Sequence, residues 1–295
     1  MNPNPDLSIV VVPYKNPDKV RTTLEAVYKS KVNFNYEVLC VDSGSGDGTP
    51  DMIAKEFPQS ILIRNTNEGF GKSNNRGMRI AKGRYVLLLN PDTELMPETL
   101  QVCFEVMEQR KDVGAMTCKL IKGDGKMDLA CRRSFPNLWA AAARFLHLSF
   151  FFPKSKLFAK YNLTFLPEDQ EAYVDAISGA FFWTRKQVID QVGMFDEAFF
   201  MYNEDFDWCY RIKEAGWKIL YYPKVTCMHY KGSSSRKAPY RSLYAFADSI
   251  WIWYKKHYAD KYPFFINWLV FVGVWVRFAI LVTINYFRKN PYVSK

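Results

Sequence analysis

Paired patterns of cysteine and histidine are missing from this 295-residue sequence. Its six cysteines, Cys40, Cys103, Cys118, Cys131, Cys209 and Cys227, form no CxxC pair and no disulfide framework, which points to a reducing compartment. Paired zinc ligands and an aromatic RNP-like strand are absent too, so the familiar nucleic-acid modules are excluded. The chain lacks GxxxxGK(S/T), which argues against a P-loop ATPase, and it lacks GxGxxG, which argues against a dinucleotide site. The N-terminal MNPNPDLSIVVV has neither a basic n-region nor a long apolar h-region, so no signal peptide is expected. No internal repeat or low-complexity tract is present. Acidic residues fall short of basic ones, 30 against 40, and the resulting formal charge of +10 favours a polyanionic partner, nucleic acid or an anionic membrane surface. The apolar load, 48% hydrophobic and 17% aromatic, decides for the membrane.

A chain of this length can bury a full core, and one α/β domain with a smaller appendage suits it better than two equal domains. LSIVVVPY (7–14) reads as a buried parallel strand, YEVLCVDSGSGDGT (36–49) as a strand running into a loop rich in Gly, Ser and Asp, SILIRNT (60–66) as a third strand and RYVLLLNPDTEL (84–95) as a fourth, strongly apolar one. Between them PDKVRTTLEAVYKS (17–30), PDMIAKEF (50–57) and SNNRGMRIAKG (73–83) read as helices, the last ended by Gly83. This β-α-β-α-β-α-β order predicts a mostly parallel, doubly wound Rossmann-like sheet, with ligands bound beyond the carboxyl ends of its strands. A helix over PETLQVCFEVMEQR and a strand over VGAMTCKLI follow. LWAAAARFLHLSFFFP (138–153) is apolar on nearly every side, with Arg144 and His147 its only ionisable groups, and fits a core or an interfacial helix. WKILYYPKVTCMHYKGSSSRK (217–237) reads as two short strands and a basic loop. We therefore expect a catalytic domain over 1–237 and a helical membrane-association region over 238–295. The run FFINWLVFVGVWVRFAILVTINYF (264–287) exceeds the roughly 20 residues a membrane span needs. Arg277 in its middle costs about 2.5–3.5 kcal/mol to insert, so an in-plane or re-entrant helix competes with a span.

Four constellations carry chemistry. Asp42 in VDSGSGDGT ends a strand, where a carboxylate can accept a pyrimidine N–H or hold a ribose hydroxyl; the loop after it turns on Gly44, Gly46 and Gly48. NEGFGKSNNRG (67–77) sets Gly69, Asn74 and Asn75 at the mouth of a helix, where backbone amides favour a phosphate. In LLLNPDTEL, Asp92 and Glu94 leave a central strand and can hold Mg²⁺ or Mn²⁺ against diphosphate oxygens, or merely cap a turn into the helix near Pro97. His229 in VTCMHYKG is a lone histidine, open to a packed or a ligating role. Last comes FFMYNEDFDWCYR (199–211). Asn203 can cap a helix there, Asp207 reaches Arg211 at i, i+4, and Gly216 is the natural stop. Glu204 and Asp205 remain, and a carboxylate walled by apolar surface suits a general base.

VDSGSGDGT, NEGFGKSNNRG, LLLNPDTEL, ISGAFFWTRK, GMFDEAFFMYNEDFDWCYRIKEAGW and MHYKGSS, in this order from about residue 7 to 235, resemble family 2 glycosyltransferases of GT-A fold. They are most similar to the rhamnosyltransferase-type branch of bacterial surface polysaccharide synthesis. The resemblance implies donor contacts at Tyr14, Asp42, Gly69, Asn74, Asn75 and Asp92, a metal-binding DxD position at Asn90 and Asp92, a late metal ligand at His229, and a catalytic base at Asp205 with Glu204 supporting it. The first Asp of DxD is Asn90 here, which puts strict dependence on Mg²⁺ or Mn²⁺ in question. The implied activity is inverting transfer of a sugar from a dTDP- or UDP-sugar to a polyprenyl-diphosphate-linked glycan at the cytoplasmic face of the plasma membrane. A catalytically silent scaffold and a nucleotidyltransferase are the alternatives. The aromatic neighbours of Asp205 would stack on sugar or fill the core.

Overall fold

The computed structural model describes residues 4–136, 148–231 and 239–288. Four strands, β1 (Leu7–Val11), β2 (Tyr36–Ser43), β3 (Ile61–Asn65) and β4 (Tyr85–Leu89), run parallel, with β1 between β2 and β4. Helices α1 (Pro17–Tyr28), α2 (Thr49–Glu56) and α3 (Phe70–Ile80) connect them, and α1 buries Val20, Thr23, Leu24 and Val27 as its spacing requires. The short β5 (Thr93–Leu95), α4 (Thr99–Gln109) and β6 (Val113–Lys122) follow. After the four-residue α5 (Leu148–Phe151) come β7 (Ala172–Tyr173), β8 (Phe181–Arg185), α6 (Lys186–Val192), α7 (Glu204–Glu214) and β9 (Lys218–His229).

The sheet order is β3-β2-β1-β4-β8-β6-β9-β5, with β7 on β9. β8 runs antiparallel to β4 and β6, so the sheet is mixed beyond β4. The strand order reverses between β1 and β4, and the crevice beyond their carboxyl ends is where such sheets take ligands. Every residue of β8 is buried, and Phe182 stacks on Trp208 of α7 at 4.7 Å between ring centres. Phe206 and Trp208 are buried as well, so these rings of the Asp205 neighbourhood are core.

Several local expectations change. Helix α3 begins at Phe70, because the Phe70 N–H is taken by the Phe200 carbonyl at 2.8 Å and Gly69 turns there at φ 97. It stops at Ile80, and Gly83 serves close packing, since a Cβ there would lie 2.5 Å from the Ser8 nitrogen. Asn203 precedes α7 at φ 59 without capping it, and its amide donates to Ser249 Oγ at 2.9 Å. The two strands expected within 217–237 are one strand, β9. Its ladder to β6 jumps from Cys118↔Tyr222 to Lys119↔Thr226, and the intervening bulge carries Pro223, which has no N–H to pair. The 231–237 basic loop beyond Lys231, and Arg144 and His147 of the 138–153 segment, lie outside the described residues.

Helix α8 (Pro239–His257) docks on α7. Trp253 meets Phe206 at 6.3 Å, and Lys256 and His257 both reach Asp207 at 2.8 Å. Asp207 also holds Arg211 at 2.9 Å, as the i, i+4 spacing predicts. Burial would raise the Asp207 carboxyl, but His257, Arg211 and Lys256 outweigh it and hold it near 2. Helix α9 (Phe264–Tyr286) is 23 residues long and its most apolar 18-residue window has mean hydropathy 2.1, so it is long and apolar enough to cross a membrane, and none of that window is buried. It leans on α8 through Trp251 and Phe271 at 5.1 Å, and Arg277 lies 5.4 Å over the Phe246 ring.

Candidate active site

Pairing of β5 with β9 sets Thr93 opposite His229, and this brings the acidic end of β4 to a histidine far along the chain. His229 Nε2 lies 3.4 Å from Asp92 Oδ1 and 3.3 Å from Asn90 Nδ2. Its other nitrogen, Nδ1, lies 3.1 Å from Asp128 Oδ2, and both side chains are buried. Burial alone would lower the His229 imidazole; bonds to Asp128 and Asp92 and their charges outweigh it and raise it to about 9. Asp128 is opposed by burial in the same way, yet His229 and Lys231 hold it far below the usual carboxylate range. Among the described residues no three His, Cys, Asp or Glu side chains converge on a metal position, and the cluster reaches three donors only through Asn90. That amide supplies the test of fit: Asn90 Oδ1 is buried without a hydrogen-bond partner. An orphan oxygen beside a carboxylate and an imidazole nitrogen suits a divalent cation. A cavity of about 220 Å³ opens next to it, lined by Lys19, Thr22, Asp92, Thr93 and Tyr230.

Asp205 stands in the first turn of α7. Its Oδ2 accepts from Arg133 Nη2 at 2.7 Å and from the Gly179 N–H at 3.3 Å, while Oδ1 accepts the Phe206 N–H at 2.8 Å. Arg133 also donates to the Ile177 carbonyl at 2.9 Å and lies 4.0 Å over the Phe206 ring. The buried carboxylate thus has a fixed counter-charge. One residue past Gly179, the Ala180 carbonyl accepts the Asn90 N–H at 2.9 Å, so a single short segment ties the Asp205 corner to the acidic strand end. Glu204 is different. Its Oε2 is buried and unpartnered, and burial, reinforced by the Asp205 charge, pushes its carboxyl up to about 8.

The expected donor contacts are distributed unevenly. Tyr14 follows β1 and is half-buried, with Lys15 over its ring at 5.3 Å. Asp42 closes its own loop: Oδ2 accepts the N–H groups of Gly44 and Ser45, each at 3.1 Å, and Oδ1 accepts the Ser45 hydroxyl. One lone pair remains for a ligand. Gly69 is required by packing, because a Cβ there would stand 2.3 Å from the Phe200 carbonyl oxygen. Asn74 donates back to the Phe70 carbonyl at 2.9 Å. Asn75 clamps the loop before α7, accepting from the Phe195 N–H at 3.1 Å and donating to the Phe195 carbonyl and Glu197. Gly69 and Asn75 therefore join α3 to the 195–200 loop, while Asn74 bonds within α3.

Asp128 and Arg133 escaped the sequence reading. The signal in GKMDLACRRS is an Asp and an Arg pair in a segment without periodicity, and their partners lie 101 and 72 residues away.

Residues 3–243 match the family described as "Glycosyltransferase like family 2". The chain belongs to that family, and is a glycosyltransferase of GT-A fold. It is 27% identical over 257 residues to the N-acetylglucosaminyl-diphospho-decaprenol L-rhamnosyltransferase of Mycobacterium tuberculosis, covering 83% of each chain. It is 25% identical over 246 residues to the rhamnosyltransferase WbbL of Escherichia coli, covering 77% of this chain and 84% of the relative. Among solved structures it is similar to the mannosyltransferase PcManGT of Pyrobaculum calidifontis, in complex with GDP-Man and Mn²⁺, with TM-score 0.56 and 17% identity. The match covers 84% of this chain and only 64% of that one.

Proposed function

We propose that this chain transfers a sugar, with inversion, from a nucleotide-diphospho-sugar to a hydroxyl of a polyprenyl-diphosphate-linked glycan. L-rhamnose from a dTDP- or UDP-sugar is the donor to test first, given the two rhamnosyltransferase relatives. The observation that carries the reading is a buried, fixed carboxylate, Asp205, linked through Gly179 and Ala180 to the Asn90, Asp92 and His229 cluster.

Asp205 acts as general base. Its Oδ2 already accepts two hydrogen bonds, whereas Oδ1 accepts one, so Oδ1 is the oxygen with a lone pair left for the acceptor proton. Arg133 holds the carboxylate in place and neutralises it before the proton arrives. Asn90, Asp92 and His229 would hold Mg²⁺ or Mn²⁺, which when bound offers Lewis-acid stabilisation to the departing diphosphate. Asp128 holds His229 by Nδ1, leaving Nε2 for that role. Tyr14 and the remaining lone pair of Asp42 lie on the donor side, and the cavity beside Asp92 has Lys19 as its cation. Glu204, neutral below about pH 8, adds no second charge beside the base. Helix α9, with Lys255, Lys256 and Lys261 before it and Arg288 after it, would bind an anionic membrane surface where the lipid acceptor is presented.

The test is donor hydrolysis and transfer with a panel of nucleotide sugars, run on the wild type and on Asp205→Asn. The variant should lose about 10²–10⁴ in kcat and keep its donor Kd. Near wild-type kcat would move the base elsewhere.

A further inference from the structure

A second apolar surface stands apart from α9. Between Phe150 and Leu157 four large side chains face solvent, Phe150 at 77%, Phe151 at 68%, Phe152 at 52% and Leu157 at 56% exposure. Apolar residues scattered singly over a surface need no explanation, but four within eight positions form a patch. Lys154, Lys156 and Lys160 are exposed among them, and no acidic residue occurs from 148 to 167. Aromatic side chains interleaved with lysines, and no acid to repel phosphates, match the boundary of an anionic bilayer.

The patch is held by its far end, not by its tip. Ala159 and Leu163 are buried, the Tyr161 carbonyl accepts the Ser134 N–H at 2.9 Å, and Arg132 donates to the Leu166 and Pro167 carbonyls at 2.6 and 2.7 Å. Tyr161 stacks on Phe206 at 6.0 Å. Phe206 follows Asp205 in sequence and also meets Trp253 of α8, the helix on which α9 leans. Both apolar elements are therefore tethered to α7, the helix whose first turn carries Asp205.

We propose that residues 148–160 are a second membrane-contacting element, occupied by an anionic bilayer surface, which sets the acceptor side of Asp205 against the membrane. The inference rests on the membrane association proposed for α9 and adds a contact that α9 does not supply. A lipid-linked acceptor then presents its glycan to Asp205 while its diphosphate stays among the lysines.

The experiment uses the full chain with single cysteines at Phe151→Cys and, separately, Ile280→Cys, each labelled with an environment-sensitive fluorophore; the six native cysteines are buried. Vesicles of phosphatidylcholine alone are compared with vesicles containing phosphatidylglycerol. The label at position 151 should shift to the blue on anionic vesicles. Lys154→Glu/Lys156→Glu/Lys160→Glu should weaken that shift at least tenfold in the lipid concentration needed, with Tm unchanged. The same triple variant should raise KM for a vesicle-embedded acceptor and leave KM for a short-chain soluble acceptor unchanged. A blue shift at 280 without one at 151 overturns this inference and leaves the α9 reading standing; no shift at either position overturns both. A shift at 151 that depends on protein concentration and not on lipid assigns the patch to a second copy of the chain, which also overturns it.

Discussion

Asp128→Asn is the sharpest perturbation of the proposed metal site, because it changes one atom and leaves the shape intact. In the native site Asp128 Oδ2 faces His229 Nδ1 at 3.1 Å, and Oδ1 faces the Ala130 N–H at 3.1 Å and Lys231 Nζ at 3.4 Å. All of these neighbours can donate, so an acceptor is wanted on both sides. An amide has only one. With its oxygen left toward Ala130 and Lys231, the NH₂ group faces His229 and forces Nδ1 to accept, which moves the imidazole proton to Nε2, the atom needed as a ligand. Turned over, the amide sets its NH₂ against an N–H and an ammonium and leaves its own buried donor unpaired, which costs about 1–3 kcal/mol. Either arrangement should weaken divalent-metal binding by about 10–100-fold, the usual consequence of losing a partner behind a metal-ligating histidine. Mn²⁺ titration followed by electron paramagnetic resonance measures this without turnover, and circular dichroism confirms the fold. An Mn²⁺ Kd within twofold of wild type, in a folded variant, would refute the assignment of His229 and Asp128 together.

Glu204→Gln tests the buried acid at the Asp205 corner. Its folded carboxyl keeps a proton up to about pH 8, whereas the ordinary glutamate value is 4.5, so the group's contribution is complete below that ordinary value and is lost as pH rises towards 8. Denaturant unfolding should show wild-type stability falling over this window by at most about 1.4 kcal/mol per pH unit, and the Gln variant should lack that slope. Identical pH profiles would show that Glu204 is ionised. Gly69→Ala should lower thermal stability by about 1–3 kcal/mol or more, since its Cβ meets the Phe200 carbonyl at 2.3 Å and φ is 97; an unchanged Tm contradicts the packing role. Arg277→Leu should turn salt-extractable membrane association into association that needs detergent, because a mid-run charge costs about 2.5–3.5 kcal/mol in the bilayer. A wild type that already resists high salt and carbonate, with no change in the variant, would show that α9 spans.

Strands β1, β2 and β4 were legible because each holds an apolar run followed by turn chemistry, and they bury every or nearly every residue, whereas β3 (ILIRN), at the sheet edge, buries none fully. The Asp207 to Arg211 pair was legible for the same reason: helical spacing alone makes it. Asn203 was misread because a cap depends on backbone conformation, and a left-handed residue turns its side chain towards α8. The glycine and asparagine loop carries a second requirement that its spacing does not show. Gly69 packs against Phe200 and Asn75 bonds to Phe195, both more than a hundred residues on. Asp128 and Arg133 carry no pattern at all. Each acquires meaning only when β9 lies beside β6, or α7 beside the segment before β8, and places His229 or Asp205 within hydrogen-bond range. Sequence spacing can therefore nominate candidate groups at strand ends and helix starts, while the groups that hold them in position are set by long-range register. A missing carboxylate at Asn90 is consistent with this division. Under the proposed metal assignment Asn90 brings no charge to the site, and Asp128, on an element the motif does not include, would supply one through the far side of the same histidine.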